Sequence, residues 1–187
     1  MKVIGVDPGQ EGGITVLEIP HYSNCEESVI LLCIPMPVIK YELTTKTKKG
    51  NKKYRTEIDL ESIRRQIFGR VLPSECIAYL EEVAARPEQG VTSMFNFGCG
   101  FGSILGFMVA YLGKDKVHKV RPQTWKKDIL AGMDRSEKSS SIQKALELSN
   151  GASSFKRTPK CKKFHDGMTD SYLIARYGWE EERLKIK

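Results

Sequence analysis

Apolar positions fall in short runs separated by glycine, proline and charge, and the period of each run assigns an element. Residues 2–7 (KVIGVD) are apolar on both faces, which predicts a central strand covered above and below. Pro8-Gly9 and Gly12-Gly13 turn the chain, and Ile14–Ile19 alternates, predicting a strand that pairs back as a hairpin. Residues 28–38 predict a third strand. Pro35 and Pro37 each remove a ladder donor there and assign the strand to a sheet edge. Asp59 fits an N-cap ahead of Leu60, Ile63, Ile67 and Leu72, which are spaced as one helical face. Cys76–Val83 predicts a second buried strand, Thr92 or Ser93 starts a long Gly-rich helical segment to about Tyr111, and Val117–Val120 predicts a short strand. Pro122 opens a helix carrying Trp125, Ser136 to Leu148 is amphipathic, and Asp166 to about Trp179 forms the last helix. The order β-β-β-α-β-α-β-α-α-α joins a hairpin meander to βαβ crossovers. It predicts an α/β fold with a mixed sheet and helices on both faces. No internal repeat is visible.

Composition narrows the class. The 187 residues suit a single domain, 1–187, and 40% hydrophobic residues supply a core. No apolar run reaches the roughly 18 residues of a membrane helix. The N-terminus enters the first strand at once, leaving no room for a targeting peptide, so a cytoplasmic protein without a membrane partner is expected. Five cysteines, an odd number without a CxxC pair, read as reduced thiols, and no histidine pairs with them at a zinc-site spacing. No GxxxxGK[ST] loop occurs, so no nucleotide cofactor is expected.

The formal charge of +7 favours a polyanionic partner where the cations cluster. They do so twice. Residues 40–55 (KYELTTKTKKGNKKYR) hold seven Lys or Arg and read as a basic loop or a hairpin with Gly50-Asn51 near its tip, or simply as a solvated loop. A linker over about 150–165 carries Lys156, Arg157, Lys160, Lys162 and Lys163.

Acids end two of the buried strands: Asp7 after Val3–Val6, and Glu81 after Ile77–Leu80, with Glu82 on the alternate face. If these strands are parallel neighbours, both acids meet at their carboxyl ends, where open α/β sheets place sites. Asp166 and Asp170 lie four apart, hence on one face of the last helix. Each acid has a plainer reading: Asp7 as a turn former, Glu81 as an edge charge, Asp166 as a helix N-cap. Asp170 on an apolar helix face needs a partner. Two charges about 4 Å apart repel by roughly 4 kcal/mol at an effective dielectric near 20. A divalent cation removes that conflict, and oxygen-only ligands suit Mg²⁺ or Mn²⁺.

The stretches VIGVDPGQEGGITVLE, YLEEVAARPEQGVTSMFNFGCGFGSILG, VRPQTWKKDIL and HDGMTDSYLIARYG run in this order from residue 3 to about 178. Together they resemble the RuvC-like Holliday junction resolvases of the RNase H-like nuclease superfamily, and within them the phage and organellar branch. The resemblance implies an RNase H-like (RuvC-like) fold with a five-stranded mixed sheet. It implies a metal-dependent, structure-selective endodeoxyribonuclease, a homodimer acting on branched DNA in a bacterial or phage-infected cell. Paired symmetric nicks in a four-way junction would leave 5′-phosphate and 3′-hydroxyl ends. The family's acids fall on Asp7, Glu81, Asp166 and Asp170, implied ligands of two Mg²⁺ per subunit with Mn²⁺ able to substitute. Some members space the last two acids by three, which keeps them on the same face. The family's catalytic lysines fall on Lys126 and Lys138, with Lys127 able to replace Lys126.

The segment Gln89–Gly106 is similar to the family's helix at the dimer interface and junction centre. Phe95, Phe97 and Phe101 flank Gly98, Gly100 and Gly102, as wedges against unstacked bases or as members of a core helix. Lys48, Lys49, Lys52, Lys53 and Arg55, with Arg157, Lys160, Lys162 and Lys163, would hold DNA arms by their phosphates. The 40–55 segment lies outside the matching stretches. His165 either assists the attacking water or is a solvated residue at a helix start. The fold also admits a nuclease on other branched DNA or RNA–DNA hybrids, and a non-catalytic junction-binding protein. A sugar-kinase or actin-like phosphotransferase would need a second similar half, which nothing after residue 113 supplies.

Overall fold

The computed structural model describes residues 1–19, 28–46, 50–84, 90–151, 153 and 155–186. Among them the chain runs through β1 (Lys2–Asp7), β2 (Gly13–Glu18), β3 (Val29–Pro35), β4 (Val38–Lys46), β5 (Lys52–Ile58), α1 (Leu60–Phe68), β6 (Cys76–Glu81), α2 (Val91–Leu112), β7 (Val117–Val120), α3 (Pro122–Ile129), α4 (Lys138–Ser149) and α5 (Asp166–Ile186). Five strands form a mixed sheet in the order β3-β2-β1-β6-β7. The β1–β2 and β2–β3 pairs are antiparallel, whereas β6 lies parallel to both β1 and β7.

Alternation along the central strands divides the core in two. Val3, Leu17 and Tyr79 face one layer with Trp125, Phe155, Tyr172 and Leu173, so α3, α4 and α5 cover that side. Ile4, Val6, Val16 and Leu80 face the other with Ile63, Ile67, Ile104 and Met108 of α1 and α2. Gly5 lets α5 close on β1: a Cβ there would stand 2.2 Å from the Ser171 carbonyl oxygen and 2.4 Å from the Ala175 nitrogen.

Several boundaries differ from the sequence reading. The third strand stops at Pro35 rather than 38, and Val38 begins a separate two-stranded ribbon, β4–β5, in the basic segment. Two strands therefore precede α1 that the predicted element order lacks, and β3 is a sheet edge. Gly50, at φ +80°, lies between β4 and β5. Asp59 caps α1 by accepting from the Ser62 N–H at 2.9 Å, but the helix ends at Phe68 and leaves Leu72 exposed. β6 ends at Glu81 and not Val83, α2 starts at Val91 after Gly90 rather than at Thr92 or Ser93, and α4 starts at Lys138 rather than Ser136. α5 runs on to Ile186. The expectation that no membrane-length apolar run exists also needs correction. The 22 residues of α2 are long and apolar enough, by length and composition, to cross a membrane. Only Ile104, Met108 and Leu112 of this helix are buried.

Candidate active site

The parallel register that pairs Val6 with Leu80 sets Asp7 and Glu81 side by side at the carboxyl end of the sheet. Asp7 accepts the Gly9 N–H at 3.2 Å. Burial above all, and then the Glu81 charge, push its carboxyl up to about 7; Asp170 adds to the rise, while the Gly9 N–H and the Lys126 ammonium oppose it. Asp7, Glu81, Asp170 and Lys126 thus sit within one electrostatic neighbourhood drawn from β1, β6, α5 and α3.

Glu81 is held by a neighbour the sequence reading did not assign to the site. Trp125, fully buried on α3, donates its indole N–H to Glu81 Oε1 at 2.9 Å. Lys126 Nζ stands 5.2 Å from the same ring, on the helix that Pro122 opens. The only sequence signal was a tryptophan placed next to the proposed lysine.

The start of α5 is pinned to the turn after Asp7. A Cβ on Gly167 would stand 2.3 Å from the Glu11 carbonyl oxygen, and one on Gly13 would stand 2.5 Å from the Gly167 oxygen. His165, and not Asp166, caps this helix: its Nδ1 accepts the Met168 N–H at 3.2 Å and its carbonyl accepts the Thr169 N–H at 3.1 Å. His165 is buried rather than solvated, and burial, reinforced by Arg157, lowers its pKa. Asp166 is exposed in the first turn, and Asp170 follows one turn later, partly buried. Asp166, Thr169 and Asp170 line a cleft of about 150 Å³ together with Lys126, Arg135 and Ser141. Arg135 lies in a turn with no pattern of its own and Ser141 is one of a run of serines in α4, so the sequence singles out neither.

All four predicted acids therefore lie at one end of the sheet. Their donor set is oxygen only, the chemistry a hard divalent cation takes, and the Glu81 and Asp170 charges add to the burial that raises the Asp7 pKa. Among the described residues no group of three or more His, Cys, Asp or Glu side chains is gathered closely enough, in this side-chain arrangement, to hold a metal ion. Glu81 is instead engaged by the Trp125 indole and Asp7 by the Gly9 amide. Glu82 takes no part in the cluster: it pairs with Lys119 at 3.7 Å and Arg121 at 3.3 Å.

A wider cleft of about 920 Å³ opens between Glu81–Ala84, Arg121–Thr124 and Phe97 of α2. Phe97 is partly buried, Phe95 is 67% exposed, and Phe101 packs against the core. Arg157 pairs with Glu11 in the turn after Asp7, which brings the second basic stretch to the rim of the site. Lys127, Lys160, Lys162 and Lys163 are exposed. Lys52, Lys53 and Arg55 are exposed on β5. Lys48, Lys49 and Gln89 lie outside the described residues. Lys138 is the first residue of α4, with its side chain also outside them.

No family model matches the chain, and no curated protein matches it. Among solved structures the chain is similar to T. thermophilus RuvC in complex with Holliday junction substrate. The TM-score is 0.55 at 12% identity, over 98% of this chain and 96% of that one. The fold of this chain is RuvC-like: a mixed five-stranded sheet with helices on both faces.

Proposed function

We propose that the protein is a divalent-metal-dependent endonuclease that nicks four-way DNA junctions. The observation that carries this reading is the convergence of Asp7, Glu81 and Asp170 with Lys126, beside Asp166, in a RuvC-like fold. The solved relative of the same fold holds a Holliday junction substrate, which supports DNA of that shape as the ligand. In this reading Asp7, Glu81, Asp166 and Asp170 hold two Mg²⁺, with Mn²⁺ as a substitute. Such ions supply charge for the phosphoryl oxygens and lower the pKa of water.

The chain's own groups do the rest. Trp125 fixes the Glu81 carboxylate by donating to its Oε1. His165 holds the first turn of α5 and so the spacing of Asp166 and Asp170; with Nδ1 occupied and the ring buried, its role is to position rather than to move a proton. Lys126, Arg135 and Lys138 offer positive charge to the scissile phosphate and its neighbours. Lys127, Arg157, Lys160, Lys162 and Lys163 contact arm phosphates without reading sequence. Two subunits related by a twofold axis would nick opposite strands symmetrically, leaving 5′-phosphate and 3′-hydroxyl ends. The exposed apolar surface of α2 is the surface this reading assigns to the dimer, with Phe95 and Phe97 directed to the junction centre.

A substrate panel tests the reading. A labelled four-way junction, a linear duplex of the same sequence and an RNA–DNA hybrid are incubated with Mg²⁺ or EDTA and resolved on denaturing gels. Paired nicks in the junction alone, abolished by EDTA, are expected. Cutting of the hybrid alone would move the substrate class, and tight junction binding without cutting would leave only a binding protein.

A further inference from the structure

The β4–β5 ribbon stands apart from the main sheet. Its segment 40–55 holds seven Lys or Arg against one carboxylate, Glu42, in a chain whose whole excess is +7. It is rooted at the site's rim. Gln10, three residues past Asp7, donates its Nε2–H to the Thr56 carbonyl at 2.8 Å, and the Asp59 N–H closes the base on the Pro37 carbonyl at 2.9 Å. Ile58 Cδ1 stands 3.1 Å from where a Cβ on Gly100 of α2 would be. Beyond this base the ribbon is open. Tyr41, Leu43 and Tyr54 are 47%, 39% and 56% exposed, which is unusual for side chains that strands normally bury.

Register puts the exposed groups in a useful order. Tyr41 pairs with Arg55 and Leu43 with Lys53, so these four share one face; Glu42 pairs with Tyr54 on the other. Among the described residues the ribbon's cations meet weak competitors. Arg55 pairs with Glu57 at 2.7 Å and Lys52 with Glu42 at 2.9 Å, both as solvent-exposed pairs that contribute little and exchange readily for phosphates. Seven residues of β5 span roughly 20 Å, and a two-stranded ribbon fits a DNA major groove about 12 Å wide.

We propose that the β4–β5 ribbon is a duplex-arm clamp, with Lys52, Lys53 and Arg55 on phosphates and Tyr41 and Leu43 packed along the groove wall. The Gln10–Thr56 bond then sets the clamped arm at a fixed distance from Asp7. The clamp rests on the nuclease reading only for the arm being part of a junction. Duplex affinity is measured separately from cutting.

Anisotropy of a labelled duplex of about 20 base pairs is followed across a salt series in EDTA, where metal-dependent cutting is off. Each phosphate contact contributes about 0.9 to the slope of log affinity against log salt. Lys52→Ala/Lys53→Ala/Arg55→Ala is expected to flatten that slope by about 2–3. Lys52→Arg/Lys53→Arg keeps it, and Tyr41→Ala/Leu43→Ala weakens binding severalfold at unchanged slope. An unchanged slope in the triple variant overturns the clamp. So does an unchanged slope with a shifted oligomeric state in light scattering, which would make the ribbon a protein-docking face. A ribbon-dependent slope in a protein that cuts no junction upholds the clamp while the nuclease reading fails.

Discussion

Asp7 is the residue on which the site's electrostatics turn. Its folded pKa, about 7, lies well above the ordinary carboxylate value because burial and Glu81 both penalise its charge. The sign follows from linkage. The folded state holds this proton more tightly than the unfolded chain. Stability from this group is therefore complete below about pH 4 and is lost as pH rises through about 7. Metal-free protein is expected to melt at progressively lower temperature across that window, and Asp7→Asn to flatten the dependence. Mg²⁺ should raise the melting temperature more at pH 8 than at pH 5, because the cation needs the carboxylate ionised. Differential scanning fluorimetry reads both. Trp125 acts at the same scale but through Glu81. Trp125→Phe keeps most of the buried ring and deletes the donor, so cleavage or metal affinity should fall by about 10–100-fold, the range for a group that supports a ligand. Raised metal concentration should restore much of the loss; no rescue would make Trp125 merely structural.

At the scale of elements, the seat of α5 on β1 determines where Asp166 and Asp170 stand. Gly5 leaves no room for a side chain: the obstructing atoms are the backbone of Ser171 and Ala175, which cannot swing aside. Gly5→Ala should destabilise the fold by about 1–3 kcal/mol or more in denaturant melts and should lower cleavage beyond what the loss of folded protein explains. The same scale tests an exposed aromatic of α2. Phe95 is 67% exposed, so Phe95→Ala should leave the melting temperature within about 1 °C while reducing junction cleavage. A large fall in melting temperature would return Phe95 to a structural role.

Across the whole molecule, legibility followed burial. β1 and β6 carry apolar residues on both faces and were readable from their side chains alone, as was the meeting of Asp7 and Glu81 at their ends. The ribbon was legible only as the hairpin alternative to a loop, with Gly50-Asn51 near its tip, because Lys, Thr and Tyr on both of its faces blur the period-2 pattern on which strand detection depends. The Trp125–Glu81 bond spans 44 residues of chain, and no local spacing announces it. His165 read either as an assistant to the attacking water or as a solvated helix start; its N–H donates to the Phe155 carbonyl at 2.8 Å across a linker without pattern, and no local spacing announces its burial. Similarity of fold to a solved junction complex at 12% identity then supports the architecture while leaving the chemistry to the acids themselves.

The central claim is that these acids form one divalent-metal centre that drives phosphodiester cleavage. The most direct measurement is Mn²⁺ binding by calorimetry on wild type, Asp7→Asn and Asp170→Asn, paired with single-turnover junction cleavage by the same samples. The account predicts saturable binding in wild type, weakened in both variants, with cleavage lost by more than about 100-fold in step, since removing a ligand costs more than removing its support. Undiminished Mn²⁺ binding in both variants, or cleavage that persists without Asp7 and Asp170, would contradict it.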